Sequence, residues 1–442
     1  MYLSIGNGTT TVVLSGGGAI AGCTYFPVSP TMKNGAYEDV TESGEIVLRA
    51  TEANIRATVN EIERLFEQAA RRQAGELVPR VYAEYRPVPN DTLWRSEILE
   101  GRVTWSENPG LRRLKDINPT VKIGFAWRRR FFWEGAETEA ELSTSGSGAA
   151  LGGKILYNHD DSGTNHDNWV QIAPTQITGV LPAGVRVGVY NVMGSPRTYR
   201  RLFLAVNALS DPANFSHILE AENRLSGGTV QGDANASNGN RVSFTLNDSS
   251  VTLTWALPAA TLQRAAGRLF RLLATVLSAS GSPVGTVTPR IRDSANLNTL
   301  WRGETVAMPA ASGIVDIGTL PLPPGGFSSG YGALTLTLTF TGTGTWTLDF
   351  LQLTPTDSLV IAAGLAPTPN NAGVIIDGID ERSYVVNTDS TQYGYVAVSG
   401  GPLLLRPGTL QRLILLCETD NGFDPAMLML VRVWYRPRRL VV

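Results

Sequence analysis

One helical stripe stands in a chain that otherwise alternates as strand, and that contrast sets the fold class. In residues 51–73, TEANIRATVNEIERLFEQAARRQ, the apolar Ile55, Val59, Ile62, Phe66 and Ala69 recur at steps of four and three. That spacing puts them on one face of a helix. Arg56, Asn60, Glu63, Glu67 and Arg71 fall on the opposite face. Thr51 with Asn54 forms a weak N-terminal cap, and Gly75 followed by Pro79 supplies the stop.

The rest reads as strand, turn and loop. Residues 2–15 hold strand-like runs around a Gly6-Asn7-Gly8 turn, and EIVLRA (45–50) is another strand. In VKIGFAWRRRFFWEG (121–135), Val121, Ile123, Phe125 and Trp127 share one face of a strand. Residues 1–135 therefore read as a β-sandwich or partial barrel with the helix, about 52–73, packed on it. TSGSGAALGG (144–153) reads as a flexible joint. KILYN, NWVQIA, GVRVGVYN and YRRLFLAVN give strands up to about 207. SHILEAENRL (216–225) opens a new block, in which RVSFTL, SVTLTWAL, ALTLTLTF and WTLDFLQLTP are each expected to be a strand. In QRAAGRLFRLLATVL, Gly267 argues for a strand from Leu269 onward. LAPTPNNAG (365–373) reads as a linker, and the closing strands are expected to complete an earlier domain. The class is mainly β, with multi-domain β-sandwiches and jelly rolls.

Composition agrees: 442 residues exceed one ordinary core, charged residues are 17%, and Gly (46) and Pro (25) supply turns. A net charge of −2 provides no global field for nucleic acid or an anionic membrane. Two cysteines, Cys23 and Cys417, are too few for a disulfide scaffold and are expected as buried free thiols. The N-terminus lacks a basic region followed by an apolar core, so no signal peptide is expected; no run of 18 apolar residues predicts a membrane span. Synthesis in a cytoplasm is the expectation, with the product staying soluble or leaving by a route other than secretion.

Reactive chemistry is sparse. NHDDSGTNHDN (158–168) carries His159 and His166 but lacks the order of a helix-loop-helix calcium site, and a polar hairpin turn is the simpler reading. SGGGAIAGC (15–23) has no Lys-Ser/Thr and cannot cradle phosphate. No nucleophile motif is present, so no catalytic residue is assigned and the chain is not expected to be an enzyme. In LEAEN, Glu220 and Glu222 stand two apart on a presumed strand and so face one side. Asp349 is the lone charge in WTLDFLQL. These three carboxylates are a candidate structural calcium site; the alternative is solvent-facing acids near strand ends. Trp105, Trp169 and Trp301 lie beside turn residues as possible sugar platforms, whereas Trp127, Trp255, Trp346 and Trp434 are expected in cores.

Three stretches carry a family resemblance. IRATVNEIERLFEQA with RSEILEGRV and KIGFAWRRRFFWEG resembles the N-terminal domain of siphophage distal tail proteins and their tail-tube relatives. KILYN, WVQIAP and GVRVGVYN, with the ending VSGGPLLLRPGTLQRLILLC…VRVWYRPRRLVV, are similar to the second, galectin-like sandwich of such proteins. The middle block is similar to a carbohydrate-binding jelly roll, whose calcium-ligating positions correspond to Glu220, Glu222 and Asp349. The resemblance implies three domains: 1–135 forming a ring, 136–215 with 366–442 as a discontinuous sandwich, and 216–365 inserted. It implies a virion tail-tip component joining tail tube to baseplate and tail-fibre proteins, in a ring, by resemblance a hexamer, with DNA passing through its lumen. Ile55, Val59, Ile62 and Phe66 would then cover the sandwich, and Arg56, Glu63, Glu67 and Arg71 would face solvent or a neighbouring subunit. The simpler alternative has the helix covering an open sheet face of a monomer. Two rival functions remain: an adhesin contacting host surface saccharide, and a glycan-acting enzyme, for which the sequence offers least.

Overall fold

The computed structural model describes residues 2–16, 24–27, 38–105, 120–142, 152–159, 166–208, 217–257, 262, 268–293, 298–322, 334–364 and 367–440. Cys23, most of the glycine-rich 15–23 stretch, most of the 144–153 joint and the middle of the histidine loop lie outside the described residues. The architecture is mainly β, in antiparallel sheets, with one long helix. No described helix is long and apolar enough to cross a membrane.

The chain forms two compact units. The first comprises Met1–Glu137, Gly179–Leu181 and Arg436–Val442; the second comprises Thr138–Thr178 and Pro182–Tyr435.

In the first unit the hydrogen-bonded strand order is Thr11–Ser15, Tyr2–Gly6, Val81–Arg86, Trp94–Trp105, Thr120–Arg129, Val40–Arg49 and Thr24–Pro27. The helix, Glu52–Gln73, begins where Thr51 is extended and its hydroxyl accepts from Asn54 N at 3.4 Å. It ends with Arg71 and Arg72 in the last turn, where their charge suits the carbonyl end of the helix dipole. Gly75 follows at φ +93°, a conformation that favours glycine. Ile55, Val59, Ile62, Leu65, Phe66 and Ala69 are buried against the sheet. Arg56, Glu63, Glu67 and Arg71 are exposed, Arg71 pairing with Glu76 at the helix end. The last strand, Arg438–Arg439, pairs with Trp133–Glu134, and Arg438 and Arg436 both bridge to Glu134.

The second unit contains two facing sheets and one further sheet. Lys154–Leu156, Met429–Tyr435, Ala183–Asn191, Gly373–Asp377, Arg382–Val386 and Gln392–Tyr395 follow one another in the first of these. Trp169–Ile172, Gln411–Thr419, Arg197–Ala208, Leu359–Ala363 and Ala397–Gly400 do so in the second. Their inward residues, including Val185, Val187, Leu202, Leu204, Leu413 and Val431, share one core. The expected linker at 365–373 is in part built into this fold: Pro367–Thr368 is a short strand, and buried Thr368 accepts from Asn191 Nδ2 at 2.9 Å through its carbonyl. Trp434 also departs from expectation. Val433 and Tyr435 point inward, so the period of two turns Trp434 outward, half-buried under Arg432.

The third sheet is ordered Thr229–Gly232, Asn240–Leu257, Leu334–Pro355, Leu269–Asp293 and Thr299–Arg302. Segments expected as separate strands are continuous here. RVSFTL and SVTLTWAL lie in one strand of 18 residues, and ALTLTLTF and WTLDFLQLTP in one of 22. Polar turn-like residues between them bend the strands without ending them. Gly342 and Gly344, at φ +133° and +112°, supply the bend in the central strand, opposite Asp248 at +48° and Ser282 at +52°. A side chain at Gly342 would run into the Val284 carbonyl. A small apolar cluster of Phe203, Leu416 and Phe423 with Ile218, Leu273, Ile314 and Phe350 joins this sheet to the sandwich inside the unit.

Candidate functional site

The three carboxylates singled out in the sequence come from separate elements of the second unit. Ile218–Glu220 is a short strand paired with residues 350–352 of the long Leu334–Pro355 strand. Ala221 N donates to the Asp349 carbonyl at 3.0 Å, and the chain then turns, with Asn223 N bonded to Glu220 O at 3.2 Å. Glu222 therefore lies in a turn rather than two places along a strand, because the partner strand has no further edge to offer it.

Glu220 and Asp349 are brought together by a residue that carries no local sequence signal. Ser237 lies in a short 3₁₀ turn, Ser237–Gly239. Its backbone N–H donates to Asp349 Oδ1 at 2.8 Å, and its hydroxyl donates to Glu220 Oε1 at 2.8 Å. Trp255 Nε1 fixes the Glu220 carbonyl at 2.9 Å. Asp349 and Ser237 are fully buried and Glu222 is half-buried. Asp233, held by Arg241 at 2.7 Å, stands near enough to act on Asp349.

Burial raises the Asp349 carboxyl well above the usual carboxylate range. The Ser237 N–H opposes this, and the charges of Glu222 and Asp233 add to it. Burial also raises Glu222. Glu222 Oε2 and Asp349 Oδ2 are buried with no hydrogen-bond partner. Oxygen donors of this kind suit a hard cation such as calcium. Yet among the described residues no three His, Cys, Asp or Glu side chains are placed to hold a metal ion, and Ser237 fills the space between Glu220 and Asp349. The side chains alone do not make a closed cage.

Two ways remain to relieve the buried charge, a proton or a cation, and they predict opposite results. With a proton, folded Asp349 titrates above its unfolded value, so the fold loses stability as pH rises from the ordinary carboxylate range through the folded pKa. Asp349→Asn then raises the melting temperature in EDTA at pH 8 by about 2–4 °C per kcal/mol recovered. With calcium, the wild type gains melting temperature on adding the ion, EDTA reverses the gain, and Asp349→Asn abolishes it. Thermal melts with and without calcium separate the two.

The other sequence candidates are scattered. Trp169 and Trp301 are half-buried, the former under Arg412 at 4.0 Å; nothing is described of the Trp105 side chain. Trp127, Trp255 and Trp346 are core residues, and Cys417 is a buried free thiol. His166 stacks on Tyr157 at 3.8 Å, and His159 Nδ1 meets the Pro425 carbonyl. His217, unremarked in the sequence, is fully enclosed in a polar node with Asn168 and Gln352. No local pattern distinguishes it, because its partners lie 49 and more residues away along the chain.

No family model and no curated protein sequence matches the chain. Among solved structures the chain has partial likeness to the Podospora anserina GH26-CBM35 β-(1,4)-mannanase, at 20% identity over 31% of this chain and 27% of that one, with a TM-score of 0.23. It has a similar likeness to the enzymatically active domain of bacteriophage CBA120 tailspike protein 4, at 11% identity over 34% of this chain and 19% of that one, TM-score 0.20. A third, CtCBM11, is matched over 95% of its own length and 34% of this chain, at 13% identity and a TM-score of 0.19. The chain thus spans about a quarter of the mannanase and a fifth of the tailspike domain. Likeness at this level assigns no activity, ligand or family.

Proposed function

We propose that the chain is a non-catalytic structural component of a long-tailed phage tail tip, assembled from copies of itself through its first unit. The observation that supports this most is topological. The strand Arg438–Arg439, near the end of the chain, returns to the first unit and pairs with Trp133–Glu134. The intervening residues contain the whole of the second unit. A base tied at both ends to one large insertion suits a scaffold that carries a β-rich appendage. The helix adds a charged, exposed ridge with Glu63 and Glu67 on it, and the sheet ends in short strands at Thr11–Ser15 and Thr24–Pro27. Both are surfaces a neighbouring copy can use. The ring, its sixfold order and its partners, tail tube on one side and baseplate or fibre proteins on the other, follow from the family resemblance.

Electron microscopy and mass photometry of the purified chain, alone and with tail-tube protein, test this. Rings are expected. The double substitution Glu63→Arg and Glu67→Arg should prevent them while leaving stability within about 0.5 kcal/mol, as for exposed sites generally. A monomer at every concentration, with no ring on adding the tube protein, overturns the reading.

A further inference from the structure

The two sheets of the sandwich in the second unit end on consecutive strands. Gln392–Tyr395 closes one sheet and pairs with Arg382–Val386; Ala397–Gly400 closes the other and pairs with Leu359–Ala363. Val396, 9% exposed and part of the shared core, carries the chain across. Among the described residues neither edge has a further neighbour. Sheet edges that face water are ordinarily blunted by charge or proline. These two strands have neither, and no residue from 390 to 405 is charged. Tyr393, Tyr395 and Val398 are 41%, 76% and 48% exposed. Val398 stands opposite the core residue Ala362, so the inward side of this edge is open to water. Gly394 stands opposite the core residue Val385, and Tyr395 opposite Tyr384 on the outer face. The register slips at Tyr393, which with Gln392 opposes Val386. Gly394 is not in the left-handed region, and a side chain there would meet nothing within 4 Å. A strand glycine with open space beside it marks a place where another backbone can come close.

We propose that this edge docks a second copy of the chain, the two Gln392–Tyr395 strands pairing antiparallel about a twofold axis at Gly394. Close to such an axis each residue meets its own counterpart or a near neighbour of it, so a charge there would meet its like. An uncharged stretch is what self-pairing needs, whereas a charged peptide from another protein gains no ion pair on it. The sequence about the axis, Tyr393-Gly394-Tyr395, reads the same in both directions. Antiparallel pairing sets Tyr393 of each copy against Tyr395 of the other, and glycine against glycine. Two aromatic cross-strand pairs form on the outer face, backed by Tyr384, with no side chain at the axis to hold the backbones apart. One sheet then continues through both copies, as in strand addition generally. The slip at Tyr393 keeps the joined stretch short, so the dimer is weak and exchanges with monomer. The contact lies in the second unit and does not depend on the scaffold reading, which assigns its contacts to the first.

Sedimentation velocity of the full chain over a concentration series tests the proposal. The chain carries Glu63→Arg and Glu67→Arg, so that contacts through the first unit do not mask the result and a failure of the ring reading leaves this test intact. A dimer that grows with concentration is expected. Tyr393→Lys with Tyr395→Lys, both at exposed sites, should weaken it at least tenfold with the melting temperature kept. Tyr393→Glu with Tyr395→Glu should do the same by itself. An equimolar mixture of the two variants should recover a heterodimer, because opposite charges then face each other across the axis. A monomer at every concentration, which would leave the edge to a different protein, overturns the assignment. So does a dimer indifferent to the tyrosine substitutions, or a mixture that stays monomeric.

Discussion

Gly101→Ala is expected to destabilise the first unit by about 2–3 kcal/mol, the upper range for forcing extra volume into a packed core. Gly101 lies on the Trp94–Trp105 strand, opposite Trp127 in the register. A Cβ there would fall within the ring of Phe66, overlapping Cγ, Cδ1 and Cε1. The ring has no simple escape. Phe66 is 2% exposed, its centroid is 6.4 Å from the Trp127 ring, and Ile62 and Leu65 are buried in the same cluster. The glycine thus serves the helix that docks over it. Phe66→Ala alone should cost about 3–5 kcal/mol as a cavity. The double variant should cost clearly less than the two single effects added, because the new methyl enters space the ring has left. Differential scanning calorimetry is the suitable measurement, since two units need not melt together. Additive costs, or a Gly101→Ala transition within about 0.5 kcal/mol of wild type, would contradict the packing described.

Acid should unfold the second unit through His217. Burial, reinforced by the nearby Arg412 charge, lowers its pKa from 6.5 to about 3. Nε2 faces Asn168 Oδ1 at 3.3 Å, Asn168 Nδ2 donates to Gln352 at 2.7 Å, and the Trp169 ring lies edge-on at 6.3 Å. Among the described residues no carboxylate acts on His217, so a protonated ring would meet only the neutral Asn168 amide oxygen and no opposite charge. The folded pKa lies below the unfolded one. The contribution is therefore complete above about pH 6.5, falls with pH below that, and levels off near pH 3. The slope is about 1.4 kcal/mol per pH unit, so roughly 2 kcal/mol disappears between pH 6.5 and 5. Ordinary carboxylates titrate lower, and the raised Asp349 and Glu222 act with the opposite sign, adding stability as pH falls, so the difference between wild type and a His217 variant isolates the loss. Urea melts at pH 7.5, 6.5, 5.5 and 5 should show the loss in wild type and a much flatter dependence in His217→Gln. Parallel slopes in the two proteins would refute the assignment.

The readable and the unreadable parts of this chain divide by the range of the interactions involved. The helix from Glu52 to Gln73 is legible because its stripe, cap and stop all lie within 25 residues. The strand starting at Leu269 is legible for a similar reason, since Gly267 stands in the way of a helix. Local signals mislead where they are right about conformation and silent about context. Asn247–Ser250 and Gly342–Gly344 look like turns and do bend the chain, but pairing continues through them because neighbouring strands bend at the same level. Trp434 has the alternation of a strand residue, yet period two cannot say which of two faces is the core.

The sites were less legible still. Asp349 reads as an odd charge in an apolar strand, and its burial makes that oddity meaningful. Its donor, Ser237, lies 112 residues away in a stretch indistinguishable from any polar turn. Local periodicity sufficed for the kind of element each segment forms, because hydrogen bonding and side-chain direction repeat over a few residues. Which polar groups would be shut away from water, and beside what, was settled only when distant strands met, because desolvation and pairing belong to neighbours in space.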